Sequence, residues 1–208
     1  MWRFQTFIYL LTFIFLFASN SFAQEEEKEE TGPKKRKWFV PDHSKIHFAG
    51  GYGFLSVSAG KKILRKKRIE LDITIGYLPK AIGGDDILTG GIKAQYIPWR
   101  IDWKNKPLQI EPLAVGLSIF QAWGTRFNRL NDRNLYSKGY YWWTSNRRFA
   151  PFIGQRIQRT YKNSSIKSIG VYYEIGTYDL YIYSWLPNQK TFPFHKLFNF
   201  SGGVQLSF

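Results

Sequence analysis

Hydrophobic and polar positions alternate along much of this chain. In the last stretch, "LFNFSGGVQLSF" (197–208), Phe198, Phe200, Gly202, Val204, Leu206 and Phe208 fall on one face, and Asn199, Ser201, Gly203, Gln205 and Ser207 on the other. A period of two is the strand period. The clearest case is "RIELDITIGYLP" (68–79), where Ile69, Leu71, Ile73, Ile75 and Tyr77 oppose Glu70, Asp72, Thr74 and Gly76. The same rhythm predicts strands over 45–52, 55–64, 87–101, 107–123, 166–175 and 178–186. Pro98 and Pro112 interrupt it and predict bulges or rims, because proline has no ladder donor. In the first hairpin, 45–64 reads as two short strands or as one, with another strand then hidden in the long connection after 123.

The apolar face of the final strand continues to the last residue, so something apolar must cover it. The amino-terminal "MWRFQTFIYLLTFIFLFASNSFAQ" has Arg3, an apolar run from Phe7 to Ala18 and a Ser-Phe-Ala site, the pattern of a secretory signal peptide ending near Ala23. The run falls short of the ~20 residues a helical span needs. Export, alternation, 19 % aromatics and 18 glycines predict an all-β fold, an eight-stranded antiparallel transmembrane β-barrel. The predicted layout is a signal peptide (1–23), a disordered charged periplasmic tail (24–44) and the barrel (45–208). Turns at 65–68, 102–106 and 176–177 are short. The connections "GYGF", "KAIGGDD", 124–165 and 187–196 would face outward, the asymmetry of bacterial outer-membrane barrels. A soluble, lipocalin-like barrel is the alternative, with an apolar inside and a polar outside.

Charge adds a second layer. Lys and Arg outnumber Asp and Glu by 30 to 15, which calls for an anionic partner. On an exported protein that favours lipopolysaccharide or anionic lipid over nucleic acid, and no nucleic-acid partner is expected. "PKKRK" in the tail reads as a solvated linker rather than a nuclear import signal. Much of the excess lies in 124–163, where Arg126, Arg129, Arg133, Lys138, Arg147, Arg148, Arg156, Arg159 and Lys162 face a single acid, Asp132. Trp142 and Trp143 are interleaved. Arg forks fit phosphate, and aromatics favour membrane interfaces, so this loop is the expected contact with lipopolysaccharide or a partner. If the apolar faces meet lipid, Lys62, Glu70, Asp72, Lys93, Gln95, Glu111 and Glu174 point into the lumen. There they must pair, as a structural plug. His43, His47 and His195 have no cysteine and no carboxylate at ligand spacing, so neither a metal nor another cofactor is expected. For acyl chemistry the candidate set is His195 with Ser184 and Asp179.

The layout resembles the small eight-stranded outer-membrane barrels of Gram-negative bacteria. Within that class, "KPLQIEPLAVGLSIFQAWG", "SIGVYYEIGTYDLYIYSWLPN" and the final strand are similar to the latter half of the lipid A 3-O-deacylases. That resemblance implies hydrolysis of an ester-linked acyl chain by a serine on the seventh strand, a histidine two residues before it and a nearby glutamate. Ser184 matches the serine, and Ile182 stands where the histidine would. The leading expectation is a non-enzymatic outer-membrane barrel with a structural or binding role. The alternatives are a lipid A-modifying hydrolase or acyltransferase and an accessory subunit of an envelope complex.

Overall fold

A computed structural model of the chain describes residues 39–63, 67–124, 146–162, 164–190 and 193–208. The expected signal peptide and most of the charged tail lie outside these residues. The strands are β1 (His43–Ala49), β2 (Leu55–Ile63), β3 (Ile69–Leu78), β4 (Ile87–Tyr96), β5 (Ile101–Asp102), β6 (Leu108–Trp123), β7 (Arg147–Thr160), β8 (Ser168–Gly176) and β9 (Asn199–Ser207). Every pairing is antiparallel. β1 pairs with β2 and β9, and β4 pairs with β6, so eight long strands close into a barrel. The two-residue β5 only extends the hairpin below β6. Closure leaves none of the eight long strands at an open sheet edge.

β1 pairs with β9 from His43↔Ser207 to Ala49↔Ser201, so the start of β1 and the end of β9 lie together, and Phe208 N donates to Asp42 O. This end is the terminal rim. It also carries the connections β2–β3, β4–β6 and β7–β8. The opposite loop rim carries 50–54, 79–86, the β6–β7 connection and 177–198. Two short helices lie on it, α1 (Lys80–Gly83) and α2 (Asp179–Trp185).

The strand count is the expected eight, but two members differ. The segment 178–186 is not a strand: Asp179–Trp185 is helical. Its place in the barrel is taken by β7, inside the stretch expected to be loop. β8 therefore runs toward the loop rim, and Gly176–Thr177 is not a terminal turn. The first hairpin does hold two strands, paired from His43↔Gly60 to Phe48↔Leu55. β4 stops at Tyr96, before Pro98, rather than at 101. At Pro112 the β6–β7 register shifts between Glu111 and Ala114, a bulge.

Side chains alternate as the pattern dictates, with polarity inverted relative to a soluble protein. Glu70, Asp72 and Thr74 of β3 are buried, while Leu71, Ile73 and Ile75 are exposed, Ile73 by 69 %. On β9, Gln205 and Ser207 are buried and Phe200 is 69 % exposed. Ile46, Ile92, Leu117, Ile153, Ile157 and Val171 continue the exposed apolar belt around the wall. Tyr96, Trp99, Trp103 and Tyr161 ring its terminal end; Phe48, Trp123, Phe198 and Phe200 ring its loop end.

Candidate functional site in the barrel interior

The terminal half of the interior is built on charge. β3 places Glu70 and Asp72 two residues apart on the inner face, and β1 places His43 and Lys45 opposite them. His43 Nε2 lies 2.5 Å from Asp72 Oδ1, and Lys45 Nζ donates to Asp72 Oδ2 at 2.6 Å. Arg156, from β7, forks onto Glu70 at 3.0 and 2.8 Å. Gln95 donates to Glu70 at 2.6 Å, and Lys45 is 3.3 Å from it. The same guanidinium reaches Glu111 at 2.5 Å and the side chain of Gln205. At the rim, Arg100 Nε donates to Glu111 at 2.9 Å and Lys62 Nζ to Ser207 Oγ at 3.2 Å. Gly60 is required here: a Cβ on it would collide with Asp72 Oδ1 and lie 2.6 Å from His43 Nε2. Glu70, Asp72 and Glu111 are essentially inaccessible to solvent. Charges so buried persist only when paired.

Lys93 and Glu174 form an ion pair at mid-barrel, with Lys93 Nζ 4.4 Å from the Phe152 ring centroid. Beyond it, toward the loop rim, the interior is neutral. His47 Nδ1 is 2.9 Å from Tyr172 OH, and the two rings stack at 5.7 Å. Tyr52, Phe120 and Tyr178 pack ring against ring across the mouth, at 5.3 and 6.1 Å. Burial raises the Tyr178 phenol above its ordinary value, so it stays neutral at physiological pH. Tyr52 and Tyr178 line a cavity of about 20 Å³ with His47, Ser118, Glu174, Asn199 and Ser201. His47 Nε2 and the Ser201 hydroxyl make no hydrogen bond to any described residue, and Asn199 Nδ2 is buried without a partner.

The backbone over this cavity is strained. Ala49 has φ 62° and ψ −167°, a region that is nearly glycine-only, and Gly50 follows at φ 79°. The kink presses the chain onto the site. A Cβ at Gly50 would lie 3.1 Å from Ser201 Oγ and 3.2 Å from His47 Nε2. Ser201 is also the register partner of Ala49 and of Glu174. A hydroxyl and an imidazole thus approach one point at the loop end of the lumen, in a cavity that the Glu174 carboxylate of the mid-barrel ion pair also lines.

Lys62, Glu70, Asp72, Lys93, Glu111 and Glu174 all line the interior, Lys62 closest to solvent. The basic loop set is dispersed. Arg147 and Arg148 open β7 at the loop rim. Arg156 is not on a loop: it is 4 % exposed inside the barrel. Arg159 is at the other end of β7, 5.7 Å from the Tyr161 ring. Arg126, Arg129, Arg133, Trp142 and Trp143 lie outside the described residues. Asp179 and Ser184 sit on α2 and His195 on the short helical turn Phe194–Leu197; no hydrogen bond joins any two of them. Ser184 is exposed on a helix, not held on a strand.

Sequence reasoning did not place His43, Lys45, Arg156 and Gln205 in the charged half, nor Tyr172 and Ser201 in the neutral half; Arg156 was read as a loop contact and His43 only as a rejected metal ligand. The signal was present for β1, where His43, Lys45 and His47 alternate with Ser44, Ile46 and Phe48. For β7 it was masked by Pro151 and Gln155 on the outer face. The chain matches no family model, no curated protein and no solved structure.

Proposed function

We propose that this is an outer-membrane β-barrel protein that crosses the bilayer with its eight long strands. Its role is structural or binding, with the loop rim meeting outer-leaflet lipopolysaccharide or a partner. The observation that carries the reading is the inverted polarity: ion pairs inside, aliphatic side chains outside. A soluble eight-stranded barrel has the opposite arrangement. In a bilayer the belt is solvated by acyl chains, and aromatic girdles fit its two edges. The interior is filled by the Glu70–Arg156–Glu111 and Asp72–Lys45 contacts, which favours a plugged barrel over a diffusion pore.

The test is Ile73→Arg, measured as unfolding in lipid vesicles. Near the bilayer midplane the substitution costs roughly 2–4 kcal/mol. An effect below about 0.5 kcal/mol, the usual size for a surface change, would refute the membrane assignment. For the cellular role, loss of the gene should raise outer-membrane permeability to hydrophobic dyes without altering uptake of small solutes.

A second reading, a lipid A-modifying hydrolase, is favoured by the approach of Ser201 and His47 to one point above the cavity. It moves the chemistry from the Ser184 set to Ser201, with His47 Nε2 as base and Tyr172 orienting the ring. The lipid A mass spectrum of cells carrying the wild-type gene or Ser201→Ala decides it. A difference of one acyl chain supports it, and identical spectra eliminate it.

A further inference from the structure

The loop rim carries a helix with no polar face. In α2 and its flanks, Tyr178, Leu180, Tyr181, Ile182, Tyr183, Trp185 and Leu186 leave only Asp179 and Ser184 as polar positions. A helix on the surface of a soluble domain keeps one polar stripe, and one that is apolar all round is buried. Here Tyr183 is 53 % and Leu186 54 % exposed, and no residue of the helix is buried. Something apolar must cover it.

Two observations identify what does. First, the helix is continuous with the apolar wall. Trp185 packs on Phe194 at 5.6 Å and Phe194 on Phe198 at 5.2 Å, and Phe198 leads into Phe200 of the exposed β9 belt. Whatever solvates the belt therefore meets the helix without a polar break. Second, cations flank it. Lys190 and Lys196 are exposed in the segment that follows, and α2 lies against β7, whose first residue is the exposed Arg147. Tyrosine and tryptophan combine an apolar body with a polar tip, the composition of membrane interfaces. Lysine and arginine beside such a surface match phosphorylated lipid heads.

We infer that α2 is a lipid-interface helix. It inserts its Tyr, Leu and Ile side chains at the boundary between headgroups and acyl chains, with Lys190, Lys196 and Arg147 set for the phosphates of anionic lipid. The inference rests on the membrane reading above. It adds that the barrel's lipid contact is lopsided, extending past the wall on the side of β9.

The chain has no cysteine, so Ile182→Cys or Tyr183→Cys gives a unique site for a spin label. Full-length protein is reconstituted into vesicles containing anionic phospholipid, and collision rates with oxygen and with a water-soluble nickel chelate are compared. Labels at Ile73→Cys on the belt and Lys104→Cys in the exposed β5–β6 turn are the references. The expected result is an oxygen-to-nickel ratio at 182 or 183 several-fold above that at 104 and below that at 73. Lys190→Gln with Lys196→Gln should lower it, as should purely zwitterionic vesicles. A ratio at 182 and 183 equal to that at 104, with 73 in lipid, overturns the inference alone. So does a label shielded from both reagents, which would mean protein covers the helix. A water-like ratio at 73 overturns the membrane reading itself.

Discussion

The two halves of the lumen solve the same problem in different ways. Both must fill a narrow interior whose walls are polar. The terminal half uses full charges in direct contact: Asp72 with Lys45, Glu70 and Glu111 with Arg156. The loop half uses neutral rings and hydroxyls around a cavity of about 20 Å³, against about 10 Å³ beside Lys45, Glu111 and Arg156, and holds its roof in a strained backbone at Ala49. Parting a buried ion from its partner leaves an uncompensated charge that costs several kcal/mol, so a dense ionic cluster locks the strands that supply it. β1, β3 and β7, far apart in sequence, are tied together by one such cluster. Backbone strain, by contrast, persists where the surrounding fold over-determines it, and it gathers at functional sites. The charged half is the clamp, and the neutral half is where chemistry or binding has room.

The largest effect that separates them is expected at Arg156. Arg156→Leu leaves Glu70 and Glu111 buried without their main cation and should cost about 3–5 kcal/mol. Denaturant unfolding of the reconstituted barrel, followed by tryptophan fluorescence, measures it. Adding Glu70→Leu should return part of the loss, since neither charge of the Glu70–Arg156 pair is then left buried alone and Glu111 keeps Arg100. If Arg156→Leu proved no worse than His47→Leu, the division into clamp and open half would fail.

Arg156 also shows what the sequence hid. Read by charge alone, it belonged with Arg147, Arg148 and Arg159 in one basic surface. Read by phase, Phe149, Pro151, Ile153, Gln155 and Ile157 face out, while Arg148, Ala150, Phe152, Gly154, Arg156 and Gln158 face in. Proline inside a strand argues against a strand. Pro151 is tolerated because β8 ends at Gly176, opposite Phe152, so no β8 ladder bond is lost. The opposite error arose at 178–186, where aromatic and β-branched residues look like a strand but follow the rim at Gly176. There the chain turns helical, with Asp179 in the first turn, where an acid is favoured. The two errors cancelled in the strand count and not in the direction of β8. Barrel closure and the inward row of Glu70, Asp72, Lys93 and Glu174 were legible because they follow from a period of two. The triple approach of Gly50, His47 and Ser201 was not, since it depends on a backbone kink that no periodicity encodes.

Effects of intermediate size should arise at that kink. Gly50→Ala forces a Cβ to within 2.8 Å of Ser201 Cβ at a positive φ and should cost about 1–3 kcal/mol. Ala49→Gly does the reverse. It relaxes φ 62° at the expense of chain entropy, for a net gain of about 1 kcal/mol. Thermal unfolding of the two variants should bracket the wild type. A destabilised Ala49→Gly would show that the roof is not strained.

The smallest effect is the most discriminating, because one substitution can be made in both halves. Ser168, in the charged half, bonds Gln158 Oε1 at 3.0 Å. Ser168→Ala removes that bond, leaves a buried amide oxygen short of a donor and should cost about 1 kcal/mol. Ser201 bonds no described residue and faces the cavity, so Ser201→Ala should change stability by less than about 0.5 kcal/mol. Paired unfolding curves test the contrast directly. If both serines cost the same, the Ser201 hydroxyl is held as firmly as the clamp, and the loop half serves the fold no less than the terminal half does. If only Ser168 matters, Ser201 is a cavity-facing hydroxyl that the fold does not need. A fluorophosphonate probe, which labels only activated serines, then tells whether His47 makes it a nucleophile.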